Sequence, residues 1–95
     1  MDITFEGSVW HWRGPAPYHF VTVPEAESEL IAAASELVTC GWGMIPVTGF
    51  VGDTSFTTSL WPKNGGYIVP LKDAVRRAES IAIDDVVRVT LTIGV

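Results

Sequence analysis

The stretch FEGSVW at residues 5–10 returns as FTTSLW at residues 56–61, so the pattern F-x-x-S-[V/L]-W is written twice in a chain of 95 residues. Around the first copy, Ile3, Phe5 and Val9 share one parity and Thr4, Glu6 and Ser8 the other, which is the period-two alternation of a half-buried strand. The second copy puts Phe56 and Leu60 in the matching places. Turn formers follow both copies, Gly14-Pro15-Ala16-Pro17 in one and Asn64-Gly65-Gly66 in the other, because Gly and Pro supply the special backbone angles of turns. Short aromatic strands come next, YHFVTV at 18–23 and GYIV at 66–69, each stopped by a proline, Pro24 and Pro70.

A proline suits the first helical position, where its missing N–H would have no partner, and Glu25 and Glu27 favour the positive end of the helix dipole. Helices are therefore expected to begin at both prolines. Ala26, Leu30, Ala33, Ala34 and Leu37 in the first, and Leu71, Ala74, Val75, Ala78 and Ile81 in the second, recur at three- and four-residue spacing. Each helix thus has one apolar stripe. MIPVTGFVG and VVRVTLTIG close the two copies, with Ile45, Val47 and Val51 standing where Val87, Val89 and Ile93 stand. Gly52-Asp53 between the copies is a two-residue hairpin signal.

The chain reads as a single domain, residues 1–95, made of two fused β-β-α-β repeats at 1–52 and 53–95. Half of such a chain is near the size below which a core cannot sustain itself, so the halves are expected to interlock about a pseudo-twofold axis. The expected fold is mainly β with two helices: a six-stranded double-split pseudo-barrel, closed or nearly closed so as to remove exposed strand edges, capped by a helix at each end. The rival arrangement is an open α+β sheet with both helices on one face.

An apolar fraction of 47% with four Trp is ample for one core, and no stretch approaches the ~20 uncharged residues of a membrane span. The N-terminal MDITFEGSVW has an acid at its second position and none of the basic start of a secretory signal. Cys40 has no second cysteine to pair with, which agrees with a reducing compartment. A soluble cytoplasmic protein is expected. The net charge of −5 argues against nucleic acid as a partner, since a phosphate backbone is held chiefly by Lys and Arg. Charge is nevertheless polarised, with Lys63, Lys72, Arg76 and Arg77 close together and Glu25, Glu27, Glu29 and Glu36 in the earlier helix.

The second copy, VPLKDAVRRAESIAIDDVVRVTLTI at 69–93, resembles the strand-Pro-helix-turn-strand unit of the AbrB/MazE/MraZ-like swapped-hairpin proteins, with Asp84-Asp85 in place of their usual Gly-Asp. Nearly the whole chain resembles a related single-chain family in which both halves are fused, a domain of unknown function that sometimes accompanies a YdeI/OmpD-associated domain. Trp10-x-Trp12, Gly14-Pro15, Tyr18-His19-Phe20-Val21, Gly41-x-Gly43, Ile45-Pro46-Val47, Thr58-Ser59-Leu60, Gly65-Gly66-Tyr67 and the helix from Pro70 to Glu79 carry the likeness. It implies the double-split barrel and no established chemistry.

The densest chemistry is WHWR at 10–13, with Tyr18 and His19 after the turn and Trp61-Pro62-Lys63 at the matching place in the second copy. Aromatics beside Arg and Lys cradle planar or anionic ligands by stacking, cation–π contact and hydrogen bonding; as repeat-related residues, Trp10 and Trp61 also suit symmetrical packing. Trp10, His11, Trp12, Arg13, Tyr18, His19, Trp61 and Lys63 form the candidate ligand-binding set, and a non-catalytic binding or interaction module is the reading they favour. Two alternatives remain. One is a small enzyme using His11 and His19 as acid and base across a hairpin, though no G-x-S-x-G nucleophile accompanies them. The other, implied by the swapped-hairpin likeness, is a DNA-binding regulator using Lys72, Arg76 and Arg77. Against it, Asp73 four residues before Arg77 and Glu79 three after Arg76 are spaced as ordinary helical ion pairs. The acidic first helix and basic second helix also suit self-association. Two His and one Cys at these spacings make no metal-ligand set, and with no G-x-G-x-x-G or P-loop no cofactor is expected.

Overall fold

The computed structural model describes residues 1–14, 18–38 and 43–94. Cys40, Gly41, Trp42, the Pro15-Ala16-Pro17 part of the first turn and the side chains of Glu36 and Leu37 lie outside the described residues. The elements are β1 (Asp2–Trp12), β2 (Tyr18–Thr22), α1 (Glu25–Val38), β3 (Ile45–Val51), β4 (Thr54–Lys63), β5 (Gly66–Leu71), α2 (Asp73–Ala78) and β6 (Val86–Ile93). The six strands close into a barrel in the order β1-β2-β5-β4-β3-β6, every neighbour antiparallel. Closure, rather than an open sheet, pairs both sides of the strands. Exchanging β1, β2 and β3 for β4, β5 and β6 maps this list of neighbours onto itself.

The interior follows from strand alternation. Ile3, Phe5 and Val9 of β1, Ile45, Val47 and Val51 of β3, Phe56 and Leu60 of β4, and Val87, Val89, Leu91 and Ile93 of β6 point inward and form one buried cluster. Gly52-Asp53 makes the two-residue hairpin the sequence signals, with Val51 paired to Thr54 and Gly52 at φ 57°. Asn64-Gly65 does the same between Lys63 and Gly66, both turn residues in the left-handed region. These angles match the twist of the strands they join.

Both helices differ from expectation. α1 begins after Pro24 as expected, its Ser28 amide donating to the Pro24 carbonyl at 2.8 Å. Among its described side chains, however, the buried face is Ser28 and Ile31, while Leu30 of the expected stripe is 55% exposed. The helix is rolled so that its small side meets β5: Ser28 Oγ donates to the Val23 carbonyl at 3.3 Å and lies where a Cβ on Gly66 would press against it. No helix begins at Pro70. Pro70 is buried within β5, paired with Phe20 of β2, and the β4 ladder ends at Ile68. With β4 no longer alongside, the residue sits at a local edge, where a missing N–H is tolerated. α2 therefore starts later, with Lys72 as N-cap, and runs only to Ala78. α1 packs against β5 and β3, and α2 against β4.

Candidate functional site

Trp10 and Trp12 keep the parity of Thr4, Glu6 and Ser8, so they stand on the outside of the barrel. The β1–β2 register pairs Trp10 with Phe20 and Trp12 with Tyr18, which gathers four aromatic rings on one outer face. Trp61 of β4 reaches over β5 to join them, its ring 5.1 Å from Phe20 and 5.3 Å from Tyr18, both edge-on. Trp10 stacks obliquely on Phe20 at 5.0 Å and donates its indole N–H to Thr22 Oγ1 at 2.9 Å. Phe20 is thereby 1% exposed although it belongs to no part of the barrel interior. The Lys63 ammonium lies 5.8 Å from the Trp10 ring centre, a cation–π distance. Trp12 and Tyr18 stack with ring planes 10° apart and remain 43% and 40% exposed. A shallow hollow of ≈ 260 Å³ opens between Trp10, Trp12, Phe20, Trp61, Lys63 and Ile68.

The histidines fall elsewhere. His11 and His19 are paired across the same hairpin but keep the inward parity of Val9 and Val21, with their rings 4.8 Å apart. Burial holds the His19 imidazole below its ordinary pKa, the Arg76 cation and His11 push the same way, and the Asp73 carboxylate opposes them in part. His19 is thus a neutral imidazole near pH 7, able to donate at one nitrogen and accept at the other. Arg13 follows the end of β1 and is exposed. Among the described residues no three His, Cys, Asp or Glu side chains stand together as a metal-binding group.

The basic residues of the second half are arranged differently from the spacing expected of them. Lys72 Nζ donates to the Thr57 carbonyl at 3.0 Å, and Arg76 pairs with Asp73 rather than with Glu79. Glu79 instead accepts from Thr54 Oγ1 at 2.6 Å, beside Gly52 of the hairpin turn. Arg77 is exposed.

Of the sequence-derived set, Trp10, Trp12, Tyr18, Trp61 and Lys63 come together on one outer face, Arg13 is exposed just beyond the end of β1, and His11 and His19 occupy the opposite side of the hairpin. Phe20, Thr22 and Ile68 were missed. The period-two run Tyr18-x-Phe20-x-Thr22, facing Trp10-x-Trp12 across a hairpin, carried the signal for the first two.

A family model described as Domain of unknown function (DUF1905) matches residues 5–91. The chain belongs to this family. The match takes in every aromatic residue of the outer face and both helices. No curated protein matches this DUF1905 chain. Among its described residues no helix is long and apolar enough to cross a membrane.

Proposed function

We propose that this DUF1905 domain is a non-catalytic binding or interaction module whose contact surface is the outer aromatic face. Its scaffold is the single-chain, double-split form of the swapped-hairpin barrel, two fused repeats with a helix at each end; the neighbour list that survives exchange of the halves supports that reading. One observation carries the function: Trp12 and Tyr18 stay exposed and stacked beside a hollow whose floor, Phe20, is buried beneath Trp10 and Trp61. Large rings fixed in advance lose little entropy on binding, and Lys63 supplies positive charge at the hollow of an acidic protein, with the exposed Arg13 next in the chain after Trp12. A cytoplasmic, bacterial setting belongs to the same reading.

The test is a thermal-shift screen against metabolites and peptides. A ligand at ~100 times its dissociation constant adds about 2.7 kcal/mol to stability, and its shift should disappear in Trp12→Ala and shrink in Arg13→Ala. Hits that survive both substitutions unchanged place the contact surface elsewhere. The DNA-binding alternative is weakened because Arg76 pairs with Asp73 and the chain as a whole carries a net charge of −5. It requires duplex binding that falls steeply with added salt, and a gel-shift series at low ionic strength decides it.

A further inference from the structure

A second hollow, of ≈ 480 Å³, shares only Trp61 with the aromatic one. Its apolar wall is Tyr18, Trp61, Pro70 and Leu71, and its polar groups, His19, Thr58, Lys72 and Asp73, lie at the junction of β2, β4 and the start of α2. Such a mixture, one apolar wall with a few converging polar groups, is the usual make-up of a small-ligand pocket. The local charge has a definite character. Lys72 spends one of its three N–H donors on the Thr57 carbonyl. Arg76, next to Asp73, has its Nε buried with no hydrogen-bond partner among the described residues. Two cations against one carboxylate leave room for one negative charge, and Asp73 at the hollow would repel a dianion.

We propose that this hollow binds a small arylcarboxylate, its ring against Trp61 and Tyr18 and its carboxylate received by Lys72, the Thr58 hydroxyl and His19. Trp61 and Tyr18 meet edge to face, so a planar body set against them continues an aromatic cluster already formed. A neutral His19 contributes one N–H to the carboxylate; a protonated one contributes a charge as well. Because burial, the Arg76 cation and the neighbouring His11 keep His19 neutral in the free protein against the partial opposition of Asp73, a bound anion raises its pKa. By linkage, affinity then rises as pH falls through the range in which His19 takes up its proton in the complex.

Benzoate is the probe, followed by amide chemical-shift titration, with benzamide as its uncharged counterpart and inorganic phosphate as the bare anion. Saturable binding in the millimolar range or tighter is expected, the range open to a fragment of this size, with shifts centred on His19, Thr58 and Trp61. Lys72→Met should weaken benzoate by about tenfold, the loss of one charge-assisted hydrogen bond, and Arg88→Met, exposed on β6 away from both hollows, should leave it unchanged. Should Lys72→Met disturb the fold, the pH series in His19→Gln stands independently: the tightening at lower pH should vanish there. The proposal is overturned by an absence of saturation, by equal binding of benzamide or phosphate, or by a pH dependence that persists in His19→Gln. Benzoate lost in Trp12→Ala and retained in Lys72→Met assigns it to the outer face, which sinks this site and supports the other.

Discussion

Phe20 stands on the outside of a barrel and yet is buried, because Trp10, Tyr18 and Trp61 close over it. Phe20→Ala should therefore behave as a core truncation, costing about 3 kcal/mol and lowering the melting midpoint by roughly 10 °C or more. Tryptophan emission should shift to the red as Trp10 and Trp61 meet water. Asp84 has the opposite character. It holds φ 72° in the turn before β6, a conformation that costs a side-chain-bearing residue about 1 kcal/mol, while its amide donates to the Val9 carbonyl at 2.7 Å. Asp84→Gly keeps that bond and relieves the strain, so a gain of about 0.5 kcal/mol is expected by denaturant titration, net of glycine's extra unfolded-state entropy. His19 titrates in a way that can be read as stability. Its pKa is lower folded than unfolded, so the unfolded chain binds more protons between the two values. The contribution is complete above about pH 6.5 and is lost as pH falls through that value toward the folded one. Thermal melts from pH 7.5 to 5 should show this acid loss in the native chain and a flatter profile in His19→Gln.

At the scale of elements, the two helices show how far local pattern carries. Pro24 and Pro70 follow similar strands, yet Pro24 introduces a helix and Pro70 lies within β5. Nothing local separates them. The deciding circumstance is that β4 stops pairing with β5 at Ile68, which makes room for a residue without an N–H. The roll of α1 was hidden for a related reason: Ser28 outranks Leu30 for burial because Gly66, distant in sequence, offers the space. Strands and turns were legible because period-two alternation and the Gly52-Asp53 and Asn64-Gly65 pairs act within a few residues. α2 is short, and Val75 is its buried anchor. Val75→Ala should cost about 2 kcal/mol and loosen the element. Hydrogen exchange of the amides of residues 75–81 should then accelerate more than that of β1 or β6, whereas a uniform change across the chain would mean that α2 unfolds only with the barrel.

At the scale of the whole molecule, the Met1 ammonium donates to the Ile93 carbonyl at 2.9 Å, so the two ends of the described chain meet. Joining them through a short Gly-Ser linker and opening the chain between Gly52 and Asp53 leaves the element order strand-strand-helix-strand, twice, unchanged. This permutant should fold cooperatively with a midpoint within about 10 °C of the parent, as termini that lie together allow; a molten product would mean that the halves are not exchangeable. The sequence by itself determined which residues alternate into strands, where the tight turns fall, and that one strand-strand-helix-strand pattern is written twice, because each of these is a contest among neighbours in the chain. The tertiary structure alone decided that Trp61 covers Phe20 and that Lys72 and Asp73 close a pocket beside Tyr18. Those outcomes depend on the registers β2–β5 and β5–β4, and a register between strands far apart in sequence is set only when the barrel closes and every inward side chain must find its place at once.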